Sequence, residues 1–374
     1  MPRFLIVVLS AVVLPLQLSA QTVRTDDPRF TITSIEGPQE VSAGSEPRIA
    51  VGDGTAWLLT KHELLKVNPK ENRLVSVPVE EIKRYTYGQV VMKVGGGSVW
   101  VFGKAHNVGG IHRIDPATGN CVAAIRLDKG KGETSLAYGM GSLWVLNQFD
   151  GTLLRINPAT NEIAASIQAG KGFWDPVQVD EGAVWLMGLE NGAVKRVDPQ
   201  LNQIVDEFSI GPKQHNGAFS LKTGLYGLSV GEGSLWAAFF KPGWADYGKY
   251  TLFRVNPKTH ETVATIMAED AIGANVHWTV NIEGSFGPIG LPAFWNGSVW
   301  VSTLGSSARG QLVTEIDPAS NKVSGDLSLP RTTARGQWAC TTVLLAGGDS
   351  LWAFSGDLGT HAHFLIHRIE RKHL

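Results

Sequence analysis

Short runs of apolar and polar residues alternate along most of the chain, and Gly, Pro, Asn and Asp separate these runs every few residues. In one stretch the alternation predicts four consecutive strands, at 134–139, 143–147, 152–157 and 162–168. A period of two residues is typical of strands that bury one face, and the period of an amphipathic helix is absent. The pattern therefore predicts an all-β protein built from short antiparallel strands.

A unit of this kind occurs seven times, and in each copy a Gly or Asp precedes a tryptophan by three positions. Six copies also contain an Asn-Pro or Asp-Pro pair, in which the Asx side chain accepts hydrogen bonds from the backbone ahead and Pro presets φ for a turn. A repeated unit of roughly 40–50 residues indicates a propeller or a solenoid. The repeat tryptophans are Trp57, Trp100, Trp144, Trp185, Trp236, Trp300 and Trp352.

The two ends of the chain complement each other. The seventh unit ends after its third strand, and the segment 29–37 resembles the fourth strands of the other units. An N-terminal strand that completes the last blade would close a ring and remove open sheet edges. We therefore predict a seven-bladed β-propeller of four-stranded antiparallel blades, in which each repeat tryptophan packs on the neighbouring blade.

The N-terminus predicts export. Arg3 precedes an apolar run from Phe4 to Leu16, and the small pair Ser19-Ala20 follows, as in a cleaved signal peptide. The run is shorter than the ~20 residues that span a bilayer, so we expect no stable membrane anchor. The predicted organisation is a signal peptide at 1–20, a short segment at 21–28 and a single propeller at 29–374, in a periplasmic or extracellular protein.

Charge and cysteine content indicate which partners and which covalent cross-links are to be expected. The formal net charge is −1 and no basic stripe occurs, so a nucleic-acid partner is not expected. Cys121 and Cys340 fall on predicted strands of different blades, and we expect no disulfide between them. We predict a monomer.

The repeat motif G-S-[VL]-W-V, followed by [IV]-[DN]-P-x-[TS], resembles the repeats of two groups of seven-bladed propellers. These are the YVTN/YncE-like group and the virginiamycin B lyase (streptogramin lyase) group, and the resemblance covers nearly all of the predicted mature chain. It implies the propeller fold. It also implies either binding of a ligand or partner, or a lyase activity that uses His and Glu residues and a divalent metal at the mouth of the channel.

The two faces of such a propeller differ in this sequence. Letters A to D denote the strands of a blade in chain order; the A–B and C–D turns lie on one face, here called the turn face, and are nearly constant. The B–C and D–A connections lie on the other face, here called the loop face, and vary in length. Trp57 and Asn68 are 11 positions apart, whereas Trp236 and Asn256 are 20 apart. Variable loops on a rigid scaffold commonly carry function, so we expect it on the loop face.

The candidate binding residues are aromatic, charged or titratable residues of the loop face. Two of its segments, at 240–250 and 273–280, combine aromatic, polar and small residues and suit sugar rings, peptides or small aromatic ligands. The alternative is that these tryptophans fill the channel mouth or pack loops together. The candidates are Trp174, Asp175, His215, Trp244, His277, Trp278, Arg335, Trp338 and Glu133.

Three functions remain open from the sequence. The first is an exported propeller that binds a small molecule, a glycan or a protein through its loop face. The second is a metal-dependent lyase or lactonase-like enzyme at the channel mouth, and the third is a structural module of a larger envelope assembly. No metal-binding or nucleophile motif is present, so no catalytic residue and no metal ligand is assigned, and the cofactor is undetermined, with a divalent metal as one option.

Overall fold

The fold is described from a computed structural model of the full chain. The structure describes residues 27–37, 48–60, 63–80, 90–105, 108–127, 134–180, 182–188, 192–210, 224–241, 249–267, 291–304, 311–330, 339–357 and 364–372. Within these ranges, no helix has the length and apolar character needed to cross a membrane.

The described chain forms 28 strands in seven antiparallel sheets of four. Blade 1 contains β2 (Arg48–Gly52), β3 (Thr55–Leu59), β4 (Leu64–Asn68) and β5 (Arg73–Val77), and blade 2 contains β6 (Val91–Gly95), β7 (Ser98–Ala105), β8 (Val108–Ile114) and β9 (Cys121–Arg126). Blade 3 contains β10 (Thr134–Gly139), β11 (Ser142–Asn147), β12 (Thr152–Asn157) and β13 (Glu162–Gln168), and blade 4 contains β14 (Phe173–Asp180), β15 (Ala183–Gly188), β16 (Ala193–Asp198) and β17 (Gln203–Ser209). Blade 5 contains β18 (Gly224–Gly231), β19 (Ser234–Lys241), β20 (Lys249–Val255) and β21 (Thr262–Met267), and blade 6 contains β22 (Ala293–Trp295), β23 (Ser298–Leu304), β24 (Gln311–Asp317) and β25 (Lys322–Ser328). Blade 7 contains β26 (Ala339–Gly347), β27 (Ser350–Asp357), β28 (Phe364–Arg371) and, from the other end of the chain, β1 (Phe30–Glu36).

The predicted seven-bladed propeller and its closure are confirmed. Strand β1 pairs with β28 in an unbroken antiparallel register from Phe30↔Arg371 to Glu36↔Leu365. The two chain ends are further joined where the Lys372 amide donates to the Arg29 carbonyl at 2.9 Å. The N-terminal strand is therefore the outermost strand of the blade that the C-terminus builds.

The repeat tryptophans lie on strand B and form the core between blades, as predicted. All seven are among the largest fully buried side chains of the described chain. Trp100 of blade 2, for example, packs with Leu136, Leu143 and Val145 of blade 3. At ~25 cal/mol per Å², a buried indole contributes about 4–6 kcal/mol of hydrophobic stabilisation.

Glycines at the ends of strands A let neighbouring blades approach closely near the turn face. A Cβ on Gly139 of blade 3 would lie 2.5 Å from Val179 Cγ1 of blade 4, and a Cβ on Gly95 of blade 2 would lie 2.3 Å from the Tyr138 ring of blade 3. Because these glycines have no side chain, they leave room for a residue of the next blade. The same contact joins Gly52 to Val94, Gly231 to Phe294 and Gly347 to Val51.

An arginine on strand C connects each of several blades to the next one. The Arg155 guanidinium lies 5.4 Å from the Trp144 ring centroid, and its Nε donates to Ser142 Oγ at 2.9 Å. Its Nη1 donates to the Pro199 carbonyl and to Asn202 Oδ1 in the C–D turn of blade 4. We call this set of contacts the arginine bridge, and Arg113 and Arg254 make the same bridge from blades 2 and 5.

Blade 6 departs from this rule because its neighbour, blade 7, has no C–D turn. Position 315 in blade 6 is a glutamate, which accepts from Ser298 Oγ at 2.8 Å. Its carboxylate lies 3.4 Å from Arg29 Nη1 and 3.8 Å from Arg371 Nη2. Arg29 directly precedes β1 and Arg371 ends β28, the two strands that close the ring. Gly325, across from Glu315, leaves room for the guanidinium, since a Cβ there would lie 2.4 Å from Arg29 Nη1.

The cysteines lie where the sequence predicted. Cys121 begins β9, the outermost strand of blade 2, and its Sγ donates to the Ala123 carbonyl at 3.3 Å. Cys340 lies in β26, the innermost strand of blade 7. Their strands therefore belong to separate sheets.

Candidate functional site

On the turn face, side chains of the C–D turns make hydrogen bonds that stabilise the turns and join neighbouring blades. In the C–D turn of blade 4, Asp198 Oδ1 accepts from the amides of Gln200 at 2.7 Å and Leu201 at 3.0 Å. The backbone hydrogen bond from Leu201 and then that from Gln200 contribute most to holding the pKa of Asp198 below its usual value. The same turn receives the arginine bridge from blade 3. The Asp198 carboxylate, the Pro199 carbonyl and the Asn202 amide oxygen of this turn therefore all accept hydrogen bonds within the protein.

The loop face, in contrast, carries irregularities that do not repeat from blade to blade. In blade 4, Trp174 pairs with Met187 and Gln178 pairs with Trp185, so that Asp175, Pro176 and Val177 bulge from the inner strand. Bulges redirect side chains and are enriched beside functional sites. The inner strands of blades 5 and 7 are also irregular at their loop-face ends, between Leu225 and Gly227 and between Ala339 and Thr341.

The bulge of blade 4 is anchored from the neighbouring inner strand. The Val177 amide donates to Ser135 Oγ of blade 3 at 3.1 Å, and Ser135 is fully buried. Since the residues after the bulge return to regular pairing at Gln178, the irregular segment is confined to the mouth of the channel. This bulge is the most pronounced departure from the repeat within the described strands.

One predicted site residue, Asp175, lies in the bulge, and another, Trp174, pairs with Met187 directly before it. Trp174 and Asp175 lie within strand β14 and not in a loop-face connection, because pairing in blade 4 starts at Phe173. The other predicted site residues lie outside the described residues: Glu133, His215, Trp244, His277, Trp278, Arg335 and Trp338.

One aromatic residue of the loop face was missed by the sequence reasoning. Phe149 lies in the B–C turn of blade 3, and 63% of its surface is exposed. Its amide donates to Asn147 Oδ1 at 3.0 Å, and the Gly151 amide donates to the Asn147 carbonyl at 2.9 Å. The Asn-x-Phe-Asp-Gly spelling is a turn signal, but its phenylalanine fits none of the repeat positions.

The turn that presents Phe149 is fixed to the start of the next blade. The Ala169 amide donates to the Gly151 carbonyl at 2.8 Å, and a Cβ on Gly151 would lie 1.9 Å from the Gly170 carbonyl oxygen. Residues 169–172 lead directly into β14 and its bulge. The exposed ring and the bulge are therefore carried by one continuous, hydrogen-bonded part of the loop face.

Metal-ligating side chains do not cluster in the part of the chain that the structure describes, where no group of three or more His, Cys, Asp or Glu could hold an ion. Two described histidines have defined hydrogen bonds. His260 Nε2 lies 2.7 Å from Asp206 Oδ2 in a C–D turn, and its ring stacks on Phe208 at 3.9 Å. His367 is fully buried between blades, and desolvation lowers its pKa to about 4.

Comparison with known proteins supports the fold. No family model matches the chain, and no curated protein matches it. Among solved structures, the WD40 β-propeller domain of Doa1 matches over 92% of this chain and 97% of that chain, with a TM-score of 0.54 and 12% sequence identity. At this identity the similarity shows the β-propeller architecture alone, which serves many unrelated functions.

Proposed function

We propose that this protein is an exported β-propeller that binds a ligand or partner through its loop face. The observation that carries the proposal is the asymmetry of the two faces. The turn face is occupied by arginine bridges and hydrogen-bonded turns, whereas the loop face has a bulge in the inner strand of blade 4, at Asp175–Val177, and an exposed ring at Phe149. Binding residues are commonly placed on loops that a rigid scaffold positions.

Aromatic residues favour a particular ligand chemistry. In the sequence, Trp244 and Trp278 have Asn, Asp and Lys residues close by, and Phe149 is exposed. Aromatic rings combined with amide, carboxylate and ammonium groups suit sugar rings and peptide segments. We infer from the seven tryptophan repeats that the chain is a divergent relative of the YVTN/YncE-like and streptogramin lyase-like propellers. The predicted signal peptide at 1–20 supports a periplasmic or extracellular location.

The proposal is tested with the purified mature chain, beginning at Gln21. It is applied to an array of soluble oligosaccharides and to a random peptide display library, and each hit is measured by calorimetry. We expect Phe149→Ala and Trp278→Ala to weaken a hit at least tenfold. Leu201→Ser is the matched control, because Leu201 is 61% exposed on the turn face and should leave binding unchanged.

Two results would count against the proposal. Loss of binding in Leu201→Ser with full binding in both loop-face variants would place the site on the turn face. Stoichiometric divalent metal in the purified chain, with turnover of a lactone probe such as dihydrocoumarin, would favour the lyase-like or lactonase-like alternative.

A further inference from the structure

His367 lies at the strand pair that closes the ring. It is on β28, it is fully buried, and its Nδ1 lies 2.9 Å from Ser34 Oγ on β1. Ser34 is itself buried, and the two residues are directly paired in the register of the sheet. This side-chain hydrogen bond joins β1 to β28 within their paired stretch.

The imidazole faces blade 6 across an apolar interface. His367 pairs with Ala353 and lies two positions from Ile369, and both of these pack with Trp300 and Val313 of blade 6. Two serines lie on the same facing surfaces, Ser355 of blade 7 and Ser302 of blade 6. Within the described chain, neither Ser302 Oγ, Ser355 Oγ nor His367 Nε2 has a hydrogen-bond partner.

Few charged groups occur among the described side chains on the strands around His367, and the side chain of Asp357, at the end of β27, lies outside them. Glu36 lies on the same side of β1 two positions beyond Ser34, and Arg371 lies on the same side of β28 four positions away. Glu315 of blade 6 faces this interface but is engaged by Ser298, Arg29 and Arg371 near the turn face. None of these described carboxylates hydrogen bonds to the imidazole, so a proton there would bring an uncompensated charge into the interface.

Strand β1 is also the link on which closure depends. It belongs to blade 7 by pairing, and it continues along the chain to blade 1. Its apolar residues fill the interfaces on both sides, since Ile32 packs with blade 6 and Ile35 with blade 1. Release of β1 would therefore separate blade 7 from its covalent connection to blade 1.

We propose that His367 is a proton-sensitive latch, whose protonation releases β1 from β28 and opens the propeller ring. In the closed ring burial lowers the pKa of His367 to about 4, whereas an exposed imidazole titrates near 6.5. Between pH 4 and pH 6.5 the released state therefore binds more protons than the closed ring does. The stabilisation of the closed ring by the neutral imidazole is complete above about pH 6.5 and decreases as the pH falls toward 4.

The test measures amide hydrogen exchange of β1 in the mature chain at several pH values, corrected for the intrinsic exchange rate. Linkage predicts that opening of β1 increases about 50-fold from pH 7 to pH 4.5 if the released imidazole titrates normally. Peptides from β12, which lies in blade 3, serve as the reference, because local openings of that strand leave His367 buried and gain nothing from its protonation. Global unfolding exposes His367 as well and would raise the exchange of both strands alike.

Variants separate the latch from general acid sensitivity. His367→Gln keeps a polar side chain without titration and should remove the extra pH dependence of β1, whereas His260→Gln should retain it. If His367→Gln does not fold, Ser34→Ala serves instead: it should raise β1 exchange at pH 7 while leaving the acid response in place. The proposal fails if β1 is no more acid-sensitive than β12, if His367→Gln keeps the wild-type profile, or if Ser34→Ala leaves β1 exchange unchanged.

Discussion

Replacing Glu315 by arginine would restore the residue type that blades 2, 3, 4, 5 and 7 carry at this position of strand C. In an ordinary repeat such a change toward the common residue would be expected to stabilise. Here the structure predicts that the change lowers the free energy of unfolding. The next blade has no C–D turn to receive an arginine, and two guanidinium groups already converge on this site.

The size of the effect follows from the contacts of Glu315. Its side chain is only 8% exposed, and it accepts from Ser298 Oγ at 2.8 Å and pairs with Arg29 at 3.4 Å. Loss of these contacts should cost about 1–2 kcal/mol. Like charges 4 Å apart repel by ~4 kcal/mol at an effective dielectric constant of 20, and the partial exposure of both arginines reduces this to roughly 1–2 kcal/mol. The expected loss for Glu315→Arg is about 3 kcal/mol.

Urea unfolding of the mature chain, followed by tryptophan fluorescence, measures this loss at low salt and at 0.5 M NaCl. Glu315→Gln should lose about half as much free energy of unfolding as Glu315→Arg, and salt should narrow the difference between them. Adding Arg29→Glu to Glu315→Arg should recover part of the loss by reversing the pair. A Glu315→Arg variant as stable as the wild type, or a reversed pair less stable than Glu315→Arg alone, would refute the reasoning.

Three further outcomes are expected from the scaffold. Arg155→Ala, which removes an arginine bridge, should lower the free energy of unfolding by about 2 kcal/mol, whereas Arg73→Ala, at an exposed ion pair, should change it by less than ~0.5 kcal/mol. Gly139→Ala should cost about 1–3 kcal/mol because its Cβ meets Val179, and a second change, Val179→Ala, should recover part of that loss; full additivity of the two in urea unfolding would contradict the contact. NMR titration should place the pKa of Asp198 below its usual value, so that its contribution persists at neutral pH and declines only in acid; an ordinary pKa would show that the turn amides do not hold the carboxylate.

Much of the fold could be predicted because the rules that specify it are local and repeated. The Asx-Pro turn forms from its own residues, and the alternation around Trp144 defines strands β10 to β13 without reference to other blades. The incomplete seventh unit also revealed the closing strand, since a missing fourth strand and an extra N-terminal one are visible in the sequence. The four predicted strands of blade 3 agree with the structure to within one residue.

The candidate site was less accessible to the same reasoning because it depends on contacts between blades. The bulge at Asp175 follows from the pairing of β14 with β15 and from the hydrogen bond of Val177 to Ser135 of another blade. Glu315 reads in the sequence as one more substitution in a variable repeat. Its meaning emerges only when Arg29, 286 positions away, is found beside it.

The arginine bridges give the ring a direction. Arg113, Arg155 and Arg254 each reach forward to a turn that is encoded after them, whereas Arg368 reaches the carbonyl of Pro69, near the start of the chain. During synthesis from the N-terminus, each of these three arginines can form its hydrogen bonds only after the following blade has been made. The C–D turn of blade 1 receives its arginine from blade 7. The contact between Arg368 and Pro69 can therefore form only after blade 7 has been synthesised, although Pro69 belongs to the first blade.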